Sequence, residues 1–384
     1  MKKNFIFNTT STMMMLTTTS FIAASCSTLK DEKKQQSITL YFGNSESDKT
    51  EIKKLEEFLN SELIKNNYSN ITVKIENTPD KDSVLIDNIL KNNNNAIGFL
   101  SVGDYFLRYE ELKLSSKLFL RTLTRAFKHV NENNEYAFKQ AELQNNIFNG
   151  LASEENINNG SYERWNNDLL FKNYIYENVY SEPNDYVDSQ RGQIWLYGDE
   201  ATRNAIKEAW KNKDFNKFMS FGIIHGSKDS SSKWILPKHL LKTHFEEAFK
   251  NKQLDQYLID NSDKFADQKA YKITDFEKSN NTFHIAFDNE APYAYTKNTK
   301  KRYIPKDNNK FEIFVVTESV PYNLGVASNT ISNEVLNVIQ NSFLQLSNIK
   351  GNNNIGDSLG FNAYKKTIEN EDNIIIEKMK KLGY

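Results

Sequence analysis

The 384 residues carry 49 Lys and Arg against 50 Asp and Glu, a formal net charge of −1, so the chain lacks the basic excess of a nucleic-acid binder. That length exceeds one typical domain of about 100–200 residues, and two lobes are expected from size alone. A single cysteine excludes a disulfide-built scaffold.

The N-terminus, "MKKNFIFNTTSTMMMLTTTSFIAASCST", has two lysines, an apolar stretch diluted by Thr, and small residues before Cys26, the layout of a secretory signal. Ala23-Ala24-Ser25-Cys26 resembles a bacterial lipobox, in which the Cys thiol is diacylated and the preceding peptide removed, although a Leu is usual where Ala23 stands. Residues 1–25 are therefore expected to be a lipoprotein signal peptide and Cys26 the lipidation site. Two acyl chains suffice for stable anchoring, which puts the expected location on the outer face of the cell membrane. Residues 26–36, ending in "STLKDEKKQQ", read as lipidated Cys and charged tether. Beyond them no apolar stretch approaches the roughly 20 residues that span a membrane.

The body opens with the strand "SITLYFGNS" and the helix "DKTEIKKLEEFLNSELIKN", whose Ile52, Leu55, Phe58, Leu59 and Leu63 fall at helical spacing. The strand "ITVKIENTP", the helix "DSVLIDNILKN" and the strand "AIGFLSVGD" follow. This β-α-β-α-β alternation implies a mostly parallel sheet covered by helices. Ligands on such sheets bind beyond the C-terminal strand ends, here Asn44, Ser45, Asn77-Thr78 and Ser101 to Asp104. Between residues 128 and 189 the chain is polar and Asn-rich, and no element is legible beyond some helix.

"RGQIWLYGD" is a strand, "EATRNAIKEAWKNKDFNKFMS" a helix, "FGIIHG" a strand and "ILPKHLLKTHFEEAFKN" a helix, so a second α/β lobe starts near Arg191. "TFHIAFDNEAPYAYTK" reads as strand and turn, "FEIFVVTESVPYNLGVAS" as the connection back to the first lobe, and "NEVLNVIQNSFLQLSN" and "FNAYKKTIENEDNIIIEKMKKL" as closing helices. The expected fold is thus α/β, with lobe one over 37–190 plus 310–384, lobe two over 191–309, and a ligand cleft between them. That is the architecture of a solute-binding protein of the periplasmic type II class, which closes by hinge motion.

The apolar strand "FGIIHG" breaks into "SKDSSSKW". One serine would serve as N-cap of the next helix, with Pro237 tolerated in its first turns. Three hydroxyls, Ser230, Ser231 and Ser232, at a helix N-terminus with Lys233 and Lys228 nearby exceed capping needs and suit phosphate oxygens. Ser230 and Ser232 are favoured because they match the pattern of the family this segment resembles, while Ser231 stays open between the two readings. His225 adjoins this rim, as a structural residue or as a ligand contact whose charge small shifts would change. Arg191 fits either a bidentate phosphate contact or a hinge salt bridge. His129, His239, His244 and His284 lack metal-ligand spacing, and no metal site is expected. No Walker loop, GxSxG elbow or HExxH helix is present, and no enzyme is expected.

The segment from "RGQIWLYGDEATRNAIKEAW" through "FGIIHGSKDSSSKW", with "FHIAFDNEAPYAYT", "SVPYNLGVA" and "LGFNAYKK", resembles the mycoplasma-type high-affinity transport lipoproteins of the CypI family, extracytoplasmic thiamine pyrophosphate-binding lipoproteins. The resemblance is dense from Arg191 to about Ile368 and thinner over the first lobe. More distantly, the strand, serine turn and helix resemble the phosphonate-binding class of periplasmic proteins, whose Ser-Thr-Ser-Gly turn holds the phosphonate. Lys233 stands where that class has Gly. The first resemblance implies thiamine pyrophosphate, or a related thiamine form, as transported ligand rather than cofactor. It also implies an ABC importer's permease and ATPase subunits as partners, and a monomer. It makes Glu290 a partner for the thiazolium or the aminopyrimidine amine, with Asp288 beside it. Tyr293, Tyr295 and Tyr322 are candidates either for stacking on the ligand rings or for ordinary packing. A phosphonate or organophosphate binder and a surface adhesin are the alternatives.

Overall fold

The structure is a computed structural model, which describes residues 35–43, 49–78, 81–91, 94–126, 141–142, 181–182, 184–290, 303, 305–348 and 353–383. The signal peptide, Cys26, Asn44, Ser45, Tyr293 and Tyr295 lie outside the described residues.

The first sheet begins as the alternation predicts. Strand β1 (Gln36–Phe42) pairs in parallel with β2 (Ile71–Asn77) on one side and β3 (Ala96–Leu100) on the other. Helix α1 (Lys49–Lys65) buries Leu55, Leu59 and Leu63, the stripe expected from its spacing, and α2 (Lys81–Leu90) buries Leu85, Ile86 and Ile89. After β3 come two short helices, α3 (Val102–Leu107) and α4 (Tyr109–Leu112), then β4 (Ser116–Arg125). The two-residue strand β5 (Tyr186–Val187) pairs with β4.

The second sheet is built around β6 (Ser189–Gly198), whose residues from Arg191 onward are all buried. Such a run needs cover on both faces. Helix α5 (Glu200–Lys211) supplies Ile206, Ala209 and Trp210. The helix expected over "EATRNAIKEAWKNKDFNKFMS" is two, α5 and α6 (Phe215–Ser220). The break falls at Lys213, in the left-handed region at φ 54°, and at Asp214, whose carboxylate caps the new helix by accepting from Lys217 N at 2.9 Å. Strand β7 (Ile223–His225) leads through the serine turn, a wide π-helical turn over Ser231–Ile235, into α7 (Leu236–His244). The helix expected from "ILPKHLLKTHFEEAFKN" also divides, at Phe245, before α8 (Glu246–Phe249). Helix α9 (Leu254–Asp260), β8 (Phe265–Asp267), a 3-10 turn over Ala270–Thr274 and a small hairpin, β9 (Glu277–Lys278) with β10 (Asn281–Thr282), precede β11 (Ile285–Asn289).

Residues expected to lead straight back to the first lobe first form β12 (Lys310–Pro321), antiparallel to β6, so the second sheet runs β12-β6-β11-β7-β8. The return comes only at β13 (Leu324–Ser328), which inserts between β3 and β4 and gives the first sheet the order β2-β1-β3-β13-β4-β14. The crossing therefore lies near Tyr322, not at residue 310. Helix α10 (Asn333–Leu346) and α11 (Asn354–Leu359) follow. Of the last expected helix, the first part is β14 (Ala363–Lys366), an edge strand on β4, and only Glu371–Lys381 is helical, as α12.

Each sheet has an aromatic core. Phe99 lies within 5.6 Å, ring to ring, of Phe42, Phe343 and Phe361, and in the second lobe Trp210, Phe215, Phe218 and Phe245 pack together. A third cluster joins Leu236, at the start of α7, to Val320, Leu324, Ile375, Ile376 and Met379. The crossing is held by charge. Arg121 Nη1 meets Glu371 Oε1 at 2.9 Å and Asp188 Oδ2 at 3.0 Å, and its Nη2 donates to the Asp188 carbonyl at 2.8 Å. Lys365 also pairs with Asp188. Among the described residues no helix is long and apolar enough to cross a membrane.

Candidate functional site

The parallel strands β7, β8 and β11 end side by side at His225, Asp267 and Asn289, and the loops beyond them enclose a cavity of about 680 Å³. That volume falls in the range of small-ligand sites. One wall is the serine turn, with Gly226, Ser227, Ser230 and Lys233. Asp267, Gln268, Lys269, Tyr271 and Lys272, at and beyond the end of β8, and Asp288, Asn289 and Tyr303 complete the lining. Three lysines therefore meet two tyrosines and two aspartates in one basin.

The three serines divide their work. Ser230 caps the turn, its Oγ accepting from Lys233 N at 3.3 Å, and lines the cavity. Ser232 is buried and donates to Asn289 Oδ1, so it fixes a lining side chain instead of facing the cavity itself. Ser231 is 4% exposed, and its Oγ has no hydrogen-bond partner. It faces the first lobe: a Cβ added at Gly103 would lie 3.0 Å from Ser231 Oγ and 2.6 Å from the Asp229 carbonyl. The turn that closes beyond β3 and the turn that follows β7 thus touch, as strand-end geometry anticipates for a cleft.

Lys233 Nζ lies 3.7 Å from Asp288 Oδ1, and Asp288 also accepts from the Tyr303 hydroxyl and, at 2.8 Å, from Asn289 N. Asp288 is therefore a lining residue that orients Lys233 and Tyr303. Trp195 is fully buried and packs 5.2 Å from the Tyr303 ring.

His225 is buried against Trp234, ring centroids 4.5 Å apart, and does not line the cavity. Its Nδ1 donates to the Gly226 carbonyl at 2.7 Å, and burial holds its pKa below the ordinary histidine value. In an NMR titration of its ring resonances the midpoint is expected below the ordinary histidine value of about 6.5; a midpoint at or above that value would contradict the burial.

Arg191 is buried and donates from Nη1 to the Thr317 carbonyl at 3.0 Å, on the β6–β12 side of the sheet. Its own carbonyl accepts from Glu290 N at 3.1 Å, which brings Glu290, also buried, beside it. Neither lines the cavity. Tyr322 is displaced furthest from expectation. It packs in the first-lobe core 5.8 Å from Phe361, because the residue after Pro321 is where the chain turns into β13.

In the first lobe, Ser101 caps α3: its Oγ accepts from Asp104 N at 3.0 Å and donates to Asp104 Oδ2 at 2.6 Å. Burial, opposed by that bond and aided by Asp82 and Asp229, pushes the Asp104 carboxyl up to about 6. Sequence reading missed Lys269, Tyr271, Lys272 and Tyr303. The available signal was "DQKAYK", a lysine-tyrosine alternation directly after a short strand.

The model of the CypI family, extracytoplasmic thiamine-binding lipoproteins, matches residues 45–383. The high affinity transport system protein p37 of Mesomycoplasma hyorhinis is 36% identical over 215 residues, 54% of this chain and 50% of that protein. A protein of the same name from Mycoplasma pneumoniae is 30% identical over 264 residues, 64% of this chain and 66% of its own length. The chain thus matches between half and two thirds of the length of these curated relatives. The solved structure of Mh-p37 of Mycoplasma hyorhinis, described as a candidate thiamine pyrophosphate transporter, aligns with a TM-score of 0.75 at 25% identity, covering 91% of this chain and 98% of that one. XAC2383 of Xanthomonas citri, solved with chloride ion, shares the fold at a TM-score of 0.50 and 9% identity, over 90% and 96% of the two chains. The two-lobed α/β fold expected from the sequence is the fold observed, and Mh-p37 shares it.

Proposed function

Since this chain belongs to the CypI family of extracytoplasmic thiamine-binding lipoproteins, we propose that it is the lipid-anchored solute-binding subunit of an ABC importer and captures thiamine pyrophosphate or a related thiamine form. The observation that carries the reading is the cavity beyond β7, β8 and β11, whose lining brings Lys233, Lys269 and Lys272 together with Ser230, Tyr271 and Tyr303. Cationic side chains and a hydroxyl suit a pyrophosphate, and aromatic faces suit a cationic ring. Binding alone, followed by hand-over to a permease, needs no bond-making group in this basin. Cys26 and residues 1–25 supply the anchor in this reading, with residues 37–190 and 310–384 against 191–309 as the two lobes, shifted so that β12 counts with the second.

Isothermal titration of ligand-stripped protein with thiamine pyrophosphate, thiamine and inorganic pyrophosphate tests the reading, and absence of heat from all three removes it. A Lys233→Met variant is expected to bind thiamine pyrophosphate about tenfold more weakly, the scale of one charge-assisted hydrogen bond, with a much smaller change for thiamine. The pair Ser230→Ala, Ser232→Ala should act in the same sense, Ser232 through Asn289. Equal losses for both ligands would show that this wall does not hold the phosphates.

A further inference from the structure

Opposite in charge to the lysine-lined cavity, a second group of side chains meets at the contact between lobes. Asp104 on α3 shares a hydrogen bond with Asp82 on α2 and feels Asp229 from the second lobe. Lys81 pairs with Asp82 and donates at 2.7 Å to the Phe99 carbonyl. Asp229 accepts from the Ser227 hydroxyl, and its neighbour Lys228 lies 3.7 Å from Asp255. Asp104 itself has the Ser101 hydroxyl as donor and no cation within ion-pair distance among the described residues. It is only partly buried, so the rim can be approached from solvent. Independently, the Ser231 hydroxyl, enclosed and unpartnered, points at the turn that carries Ser101, Gly103 and Asp104. An enclosed hydroxyl is normally hydrogen-bonded, and a carboxyl crowded by two others either keeps its proton or meets a cation. Both omissions occur at one place.

We infer that Asp82, Asp104, Asp229 and Ser231 form a cation subsite that receives the positively charged, amine-bearing part of the ligand as the lobes close. The inference rests on the thiamine reading and deepens it: the phosphates go to the lysines of the second lobe, and the organic cation to the carboxylates of the first. The ligand then bridges the lobes by its own charge separation, which makes closure depend on both ends being present. Pushed up by burial, Asp104 holds a proton in acid that an arriving cation displaces.

The test is titration of the wild type and Asp104→Asn with thiamine and with inorganic pyrophosphate at pH 7.5. Asparagine preserves the side chain's size and its acceptor for Ser101. The expected result is a loss of thiamine affinity of about tenfold relative to pyrophosphate. At pH 5 the wild type should fall toward the variant's thiamine affinity, and the variant should change little. Unchanged thiamine affinity in Asp104→Asn overturns the subsite while leaving the thiamine reading intact, and so does an equal loss for both ligands. A wild type that binds pyrophosphate but neither thiamine nor thiamine pyrophosphate overturns both. Asp82→Asn, on a separate helix, repeats the comparison should Asp104→Asn fail to fold, with the same outcomes deciding.

Discussion

A Gly192→Ala variant is expected to lose about 2–3 kcal/mol of stability, the scale of overpacking in a well-filled core, and most of its ligand affinity. A Cβ at this position would lie 2.2 Å from the Ser232 carbonyl oxygen and 3.2 Å from its carbon, with Pro237 Cδ at 3.4 Å. The neighbours are backbone, which cannot swing aside as a flexible side chain would. Strand β6 cannot retreat either, because it is paired on both sides and Gly192 N donates to Thr317 Oγ1 at 2.8 Å. The serine turn must shift, and it carries Ser230 and Lys233 with it. Urea denaturation followed by circular dichroism, together with ligand titration, checks both halves. An unchanged midpoint and unchanged affinity would mean that the turn does not pack on Gly192 as described.

Removing Arg121 should do more damage still. Arg121→Met leaves Glu371, 5% exposed, without its ion-pair partner and half-buried Asp188 with Lys365 alone, and breaking a buried ion pair from one side costs about 3–5 kcal/mol. Because the cluster ties β4, the entry to β6 and α12 together, the loss is felt at the crossing between lobes as well as in global stability. The double variant Arg121→Met, Glu371→Leu should regain part of the loss, since an apolar pair no longer strands a charge. A double variant less stable than Arg121→Met alone would refute that account. Burial by itself would raise the Asp188 carboxyl, but Lys365 and Arg121 outweigh it and hold it below the usual carboxylate range. The sign follows: the stability this group contributes is present above its unfolded value of about 3.9 and is lost as the pH falls through the lower folded value.

Much of this molecule was legible in its sequence where periodicity was strong. The stripe Leu55, Leu59, Leu63 and the parallel order of β1, β2 and β3 follow from alternation and spacing alone. Strand β4 was not legible, because "SKLFLRTLTR" mixes Leu and Phe with Lys, Arg and Thr without a two-residue alternation. Nor was β14, where "AYKK" is an edge strand of four residues beside a helical pattern. The single long helices of the second lobe were broken by local events, a left-handed Lys213 and a turn at Phe245, that leave little trace in hydrophobic period.

At the site, position along the chain located the serine turn, Asp288 and Ser101 but could not say which way each side chain points. Tyr322 shows the limit. Its aromatic ring and neighbourhood suited a ligand, and its burial among Phe361 and the first-lobe core depends on where β12 ends, which is a matter of pairing between residues far apart in sequence. Tyr271, in a 3-10 turn, and Tyr303, in a turn before β12, line the cavity from outside any strand, where no periodicity marks them.

The wide turn over Ser231–Ile235 has a consequence for how such a protein diversifies. Trp234 N and Ile235 N both reach back to the Ser230 carbonyl, at 3.1 Å each, so consecutive residues emerge in separate directions. Ser230 opens on the cavity, Ser231 on the other lobe, and Ser232 on Asn289. Mutation at adjacent codons therefore acts on separable traits: the first on how the phosphates are held, the second on how the organic cation is received where the halves meet, the third on the rigidity of the wall. A lineage can drift at one of these without surrendering the other two, and three neighbouring serines are three independent dials for selection.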